Sequence, residues 1–369
     1  MKLRIDQKQL AEAARRAHRR LPNNPSMPIL AGVLIEATED AVTLSGFDYE
    51  TSTRALLDAE PLEPGLTLVS GRLLADVASA LPTGPVDVVA DEREMTVSAP
   101  GTTFTLPTMA TGDYPALPTP PGPAGTVDGD ALAAAVGHAA QCALPVKEAA
   151  GSLAGFMGVH VEASGDRLVV SATDRYRIVR RTLPWQPDGE GDGELLIPAN
   201  EFAATVKQTA GGAVRIGFAD TSGAVASLAT DKLTVTGRTI ANGFPAIDRF
   251  FPDPDTAAGS ALVEAAELLA AVKRAALVIE EKVPVTAAFD DGKVTVRGGV
   301  DGQRGSSELD ADCDVTDFEM AFNPDYLASL IAPIEGAVRI WLFTPNKPVL
   351  IQPVDDDTYR AVCMPVRLK

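Results

Sequence analysis

Three aspartates recur at matching places along this chain: Asp48 in GFDYE, Asp174 in ATDRY and Asp301 in GVDGQ. Clustered carboxylates can relay protons or hold a metal. These three each sit in their own repeat, however, so they should lie far apart, and a turn-forming role suits them better. The run Asp310-Ala311-Asp312-Cys313-Asp314 alternates carboxylates like a calcium loop. Its sixth position is Val315 where the sharp turn needs glycine, and its twelfth is Ala321 where a glutamate should supply two oxygens. His18, His138 and His160 share no spacing, which favours packed or solvated rings over a ligand set. Cys142, Cys313 and Cys363 are odd in number, far apart and in no CxxC pair, which suits a reducing compartment and argues against a zinc site or disulfide framework. No Walker A loop, GxGxxG, GxSxG elbow or HExxH is present. No nucleophile, base and oxyanion donor are assembled, so the expectation is a non-enzyme without a cofactor or metal. A hydrolase with a scattered carboxylate site is the rival from another class.

The basic residues are the informative ones. Arg15, Arg16, Arg19 and Arg20 crowd one short stretch, whereas acids gather in later segments such as Asp355-Asp356-Asp357. A formal net charge of -18 ordinarily counts against nucleic-acid binding. A net value hides its distribution, and here the two signs are segregated.

The elements that must position these residues are also repeated. Gly32-Val33-Leu34-Ile35-Glu36-Ala37 returns as Gly158-Val159-His160-Val161-Glu162-Ala163, with the aspartate loops at the same offset. A repeat near one third of 369 residues points to three similar domains, since solenoid units run only to about 50 residues. Each third opens with a helical pattern: IDQKQLAEAARRAHRRL, VDGDALAAAVGHAAQCAL and VEAAELLAAVKRAALVI. Leu10, Leu132 and Leu268 begin matching apolar stripes. Alternating strands follow, then a second helix (SGRLLADVASAL, PANEFAATVKQTA and NPDYLASLI), then more strands. Pro-rich linkers at 115–125 and 251–259 divide the chain into domains at 1–122, 123–252 and 253–369. The fold class expected is α+β, each domain being two helix-plus-antiparallel-sheet halves. With 46% hydrophobic and 22% charged residues the composition is that of a soluble globular protein. No apolar run is long enough to span a membrane and MKLRIDQKQL has no signal-peptide core, so a cytoplasmic location is expected.

On a helical wheel Leu10, Ala14, Ala17 and Leu21 form one buried stripe, with Lys8, Glu12, Arg15, Arg16 and Arg19 opposite and Arg20 on the flank. In the third domain Leu268, Val272, Ala275 and Ile279 face the core. Lys273, Arg274 and, unusually, Leu277 face away. The second domain's outer face, with Ala134, Gly137, His138 and Gln141, is barely basic.

Several strings, in order on a threefold repeat, resemble the bacterial DNA polymerase III beta subunit family, the sliding clamps, over essentially the whole chain. They are MPILAGVLIEA at 27–37, LSGFDYE at 44–50, SATDRYR at 171–177, FNPDYL at 322–327 and CMPVRL at 363–368, with an actinobacterial flavour in GFDYE and TDRYR. The resemblance implies a crescent of three clamp domains that dimerises head to tail into a ring around duplex DNA, helices lining the hole. Arg15, Arg16, Arg19, Arg20, Lys273 and Arg274 would then meet phosphates without reading bases. The family often has a basic residue where this chain has Asn23-Asn24, so contact there is in doubt.

The resemblance also implies a partner-peptide pocket for a short Gln/Leu/Phe-type motif. Phe156, Thr173, Arg175, Arg177 and Ile178 would contribute to it, with Pro245, Arg249, Phe250, Asn323 and Tyr326. The apolar tail would add Val362, Met364, Pro365, Val366, Arg367 and Leu368. Many members have Gly-His at the place of Arg175-Tyr176, which makes one rim bulkier here, and Lys369 extends the usual ending. Ring closure would set Leu277 and Val278 against Phe104 and Leu106, flanked by Arg72 or Arg93 and Glu308. Implied partners are DNA polymerase III alpha, other polymerases and an ATP-driven clamp loader. A second-copy clamp that tolerates a peptide antibiotic keeps the fold and changes the role.

Overall fold

The computed structural model describes residues 1–22, 25–149, 151–189, 191–219, 224–241, 243–280, 283–299 and 302–367. Asp301, the Asn23-Asn24 loop, Leu368 and Lys369 lie outside the described residues. Six α-helices run through the described residues: α1 (Gln7–His18), α2 (Gly71–Ala80), α3 (Gly129–Ala140), α4 (Ala199–Thr209), α5 (Ala265–Ala276) and α6 (Pro324–Ile331). The three helices that open the sequence repeats are all shorter than their apolar patterns. Before α1, Lys2–Asp6 is a strand paired with Pro85–Ala90, and Asp6 caps the helix by accepting a hydrogen bond from the Lys8 amide. An aspartate at that position satisfies one of the orphan donors of the first turn. Leu21 is buried beyond the end of α1, and Ile279 is only half-buried beyond the end of α5. Both therefore pack from turns and not from the helical stripe.

Compactness divides the chain into two units that do not coincide with the sequence thirds. The first comprises 1–129, 187–190 and 205–239; the second comprises 130–186, 191–204 and 240–369. The middle third is thus shared between them. In the first unit Leu233–Arg238 pairs antiparallel with Thr51–Leu57, so a strand of the middle third extends the sheet of the first. Helices α1 and α2 pack together over this sheet. Leu10, Ala14, Ala17, Leu74 and Ala78 meet Val33, Ile35, Leu44 and Val97 in one core. Gly46 marks the tightest approach: a Cβ there would come within 2.4 Å of the Ala17 carbonyl oxygen, so only glycine lets the strand lie against the helix end.

In the second unit a nine-stranded antiparallel sheet runs through Gly158–Ser164, Arg167–Thr173, Arg177–Pro184 and Tyr359–Cys363, again joining the middle third to the last. A separate four-stranded sheet has Gly305–Asp310 at its edge, beside α5. Gly298 repeats the role of Gly46, its Cβ position lying 2.2 Å from the Ala275 carbonyl oxygen of α5. Sheet and helix contribute to every core, and the sheets are open, so the α+β expectation holds.

Candidate peptide-binding cleft and basic helix faces

Asp48 and Asp174 do the same work in their separate loops. The Asp48 Oδ1 atom accepts from the amides of Glu50 and Thr51 at 3.0 and 2.7 Å. The Asp174 Oδ1 atom accepts from Tyr176 and Arg177 at 3.0 and 2.9 Å. The residue after each aspartate, Tyr49 or Arg175, is left-handed with φ of 75° or 81°. An acidic side chain that grips the backbone two and three residues on stabilises such a turn against the cost of positive φ.

The second turn carries more. Arg177 pairs with the buried Asp174 carboxylate at 2.9 Å and donates to Ser329 Oγ and to the Gln141 carbonyl. Its guanidinium also lies 4.5 Å from the Tyr326 ring centroid. Asn323, expected at the pocket, accepts from the amides of Asp325 and Tyr326 and so caps α6. Arg177 and Asn323 are framework here, holding Tyr326 and the turn in place.

On the other side of the turn lies an apolar cleft of about 210 Å³. It is lined by Phe156, Thr173, Arg175, Ile178, Pro245, Arg249, Phe250, Val362 and Met364, all expected from the sequence, and by Tyr176, Ile247 and Pro348. That volume is small beside the roughly 300–1,000 Å³ of drug-sized sites, and it suits one or two side chains of a peptide. Arg175 and Arg249 give it a basic rim. Val362 is positioned by pairing of Tyr359–Cys363 with Arg177–Pro184. The tail beyond is tied by main-chain bonds, Met364 N to Tyr176 O at 2.8 Å and Val366 N to Ala321 O at 2.7 Å. Pro365, Val366 and Arg367 follow without lining the cleft, because the bond to Ala321 leads them toward the four-stranded sheet.

One wall of the cleft is a strap, residues 243–251, laid over the nine-stranded sheet. Cross-strand register sets His160 beside Ser171, Ser171 beside Arg180 and Arg180 beside Arg360, all on one face. The Phe244 ring stacks on His160, Asp248 pairs with Arg180 at 2.5 Å, and Phe251 lies 4.9 and 5.3 Å from the Arg180 and Arg360 guanidiniums. Cations over an aromatic face are attracted by its quadrupole. Between these anchors Ile247 is buried with Ile178, Phe343, Leu350 and Val362.

Burial pushes the Cys142 and Cys363 thiols up to about 12, so neither offers a thiolate nucleophile near neutrality. Among the described residues no group of His, Cys, Asp and Glu could hold a metal ion.

The basic residues divide by geometry. Arg15 and Arg19 are exposed, Arg16 is paired with Glu12, and Arg20 is half-buried and donates to Thr205 Oγ1 at 3.0 Å. Arg19 caps α1 and Arg20 lies past it. Lys273 and Arg274 are exposed on α5, with the Arg274 Nε atom 3.1 Å from Ser307 Oγ. Leu277 is 83% exposed and Phe104 36%, but Leu106 is 1% exposed. Leu106 shares its strand face with Phe104 but packs in the core, whereas Phe104 is exposed, so a partner meets the main chain of Leu106 and not its side chain. Arg72 and Arg93 are exposed, Glu308 pairs with Lys293 at 2.5 Å, and Val278 is half-buried.

Repeated helix-and-sheet units, a small apolar cleft and exposed basic helix faces are the features that any relative must share. The fold matches that of the DNA polymerase sliding clamp from Bacillus subtilis, with a TM-score of 0.90 at 19% identity over all of both chains. Residues 1–118, 129–246 and 249–367 match the N-terminal, central and C-terminal domain models of the DNA polymerase III beta subunit. The chain belongs to the DNA polymerase III beta subunit family, which is not itself catalytic. It is 36% identical to the beta sliding clamp of Streptomyces coelicolor over the whole of both chains. It is 34% identical to the beta sliding clamp homolog GriR of Streptomyces muensis, covering all of this chain and 99% of that one. The sequence left Ile247 and Pro348 unmarked. Ile247 had a signal in its place between Pro245 and Arg249, whereas Pro348 reaches the cleft from a distant hairpin and had none.

Proposed function

We propose that this chain is a processivity factor, two copies of which close head to tail into a ring around duplex DNA. The cleft lined by Phe156, Ile178, Ile247, Phe250, Val362 and Met364 carries the reading, because it gives a member of this family a place to hold a polymerase by a short apolar peptide. Its partners on this reading are DNA polymerase III alpha, other polymerases and repair proteins, and a clamp loader that supplies the nucleotide chemistry. The domains are proposed at 1–122, 123–252 and 253–369, and the location is the cytoplasm.

Exposed Arg15, Arg19, Lys273 and Arg274 face phosphates in this arrangement, with weak, sequence-blind contacts that permit sliding. Two strand edges support the joint. Among the described residues Gly305–Asp310 pairs on one side only, and Thr102–Met109 pairs along Glu94–Ala99 but meets Gly65–Ser70 only at Thr108 and Met109. Open edges call for a covering strand or partner. The exposed Phe104 and Leu277 flank them as apolar surface. Two equivalent joints close a two-fold ring.

The test is retention on nicked circular DNA after loading, measured before and after a single linearising cut. Loss only after the cut supports encirclement; equal loss from both forms overturns it. A second-copy role is the alternative, consistent with the 34% match to a relative named as a clamp homolog but not preferred over the 36% match to a beta sliding clamp. Failure to sustain growth of cells depleted of their own clamp would favour that role.

A further inference from the structure

A second cleft of about 350 Å³ adjoins the first, and the Tyr176 ring lines both. Its floor and walls include Leu144, Pro145, Met157, Asn200 and Tyr326, with Glu148 at the rim. The function proposed above assigns it no role. We infer that it is a subsite for a cationic side chain, Lys or Arg, placed beyond the apolar motif on the same bound peptide. This rests on the peptide-tether reading of the first cleft and adds a charge requirement to it.

The charges decide the sign. Asp174 and Arg177 both line the second cleft, but they neutralise one another in a pair whose side chains are 5% and 11% exposed. Glu148 is left as an exposed carboxylate with no ion-pair partner among the described residues. It lies close enough to the Tyr326 hydroxyl to help raise its pKa, after burial and Asp174. The cleft is therefore anionic. Of the nearby cations, Arg175 lines the first cleft and not the second, and the exposed Lys147 lines neither.

The remaining walls fit a long basic side chain. Leu144, Pro145 and Met157 offer apolar surface for the methylene stem, which Lys and Arg bury while the head stays wet. The stacked rings of Tyr176 and Tyr326, 6.0 Å apart, add π-faces beside the carboxylate. Tyr176 stands between the two clefts and is held in place. The positive φ of Arg175 sets the turn, and the Tyr176 carbonyl accepts from Met364.

The experiment uses the full-length protein and fluorescent peptides carrying a Gln/Leu/Phe-type motif. Each peptide bears a single Lys or a single Glu at successive positions beyond either end of the motif. At one end the Lys peptide should bind about fivefold tighter than its Glu counterpart, as expected for an exposed cation worth about 1 kcal/mol. The ratio should fall as salt rises and collapse toward one in Glu148→Gln, a conservative change at an exposed site. Equal binding of Lys and Glu peptides at every position, or a ratio that persists in Glu148→Gln, overturns the inference while leaving the first cleft standing. Failure of the bare motif to bind overturns both.

Discussion

The Phe244 ring lies parallel to the His160 imidazole, centroids 4.8 Å apart and planes within 6°. This contact begins a strap whose other end is Phe251 under two guanidiniums, with Ile247 and Phe250 facing the cleft between them. The wall of the cleft is therefore not a free loop. It is a covalent stretch pinned at both ends to one row of cross-strand side chains.

Phe251→Ala should loosen that wall. Two cation–π contacts, each worth about 0.5–2 kcal/mol, disappear along with apolar packing. Peptide affinity should fall about tenfold, with a modest drop in the denaturation midpoint. Phe251→Tyr, which keeps the ring, should restore most of both. Titration of labelled peptide against all three proteins checks it, and an unaffected alanine variant removes the strap from the site.

Arg177→Ala should be among the most damaging single changes in the second unit. It strands the buried Asp174 carboxylate, and breaking a buried pair from one side costs about 3–5 kcal/mol. Asp48→Ala in the first unit removes two turn hydrogen bonds and no ion pair, so about 1–2 kcal/mol is expected. Equilibrium unfolding of both variants measures the contrast.

The thiols predict an alkaline limit. Cys142 and Cys363 are held protonated up to about 12 by burial, above the ordinary thiol value. Between the unfolded and folded values the unfolded chain has released its protons and the native one has not, so native stability is full below about pH 8.5 and declines as pH rises toward 12. Denaturation midpoints taken from pH 8 to 11 should fall. The fall should be shallower in Cys142→Ala with Cys363→Ala. In native protein at pH 8 both thiols should resist alkylation.

Deleting residues 364–369 should abolish polymerase stimulation and leave dimerisation intact. The deletion removes Met364 from the cleft and the bonds to Tyr176 and Ala321, while the joint proposed for the ring lies elsewhere. Light scattering and primer extension separate the two effects; dissociation to monomers contradicts the assignment.

Arg15→Glu combined with Arg19→Glu should weaken retention on DNA and flatten its salt dependence. Each lost phosphate contact lowers the slope against log salt by about 0.9. Retention measured from 50 to 200 mM salt reads it, and an unchanged slope returns both side chains to plain solvated surface.

Local signals in the sequence were sufficient for the helices. Apolar periodicity found all six, and Asp6 and Asn323 show capping chemistry at two of their starts. The turn aspartates were legible for the same reason, being local. Long-range pairing was not. Nothing in Leu233–Arg238 announces Thr51–Leu57 as its neighbour, so the sharing of the middle third between two units stayed hidden. In the cleft the family resemblance supplied most of the lining. Pro348 came from a hairpin with no motif, and Leu106 is buried on the same strand face that leaves Phe104 exposed, a difference set by tertiary packing. Arg177 was read as a contact residue because sequence order cannot show a guanidinium turned inward.

The paired aspartate turns have an asymmetric consequence. Asp48 and Asp174 shape the same bend, but only the latter is followed by an arginine that reaches Tyr326 and by a tyrosine that divides two clefts. One form of bend serves as plain scaffold in the first case and as the partition between two clefts in the second. Lesions in the first bend should surface as heat sensitivity alone, whereas lesions in the second should cost heat resistance and stall traffic together.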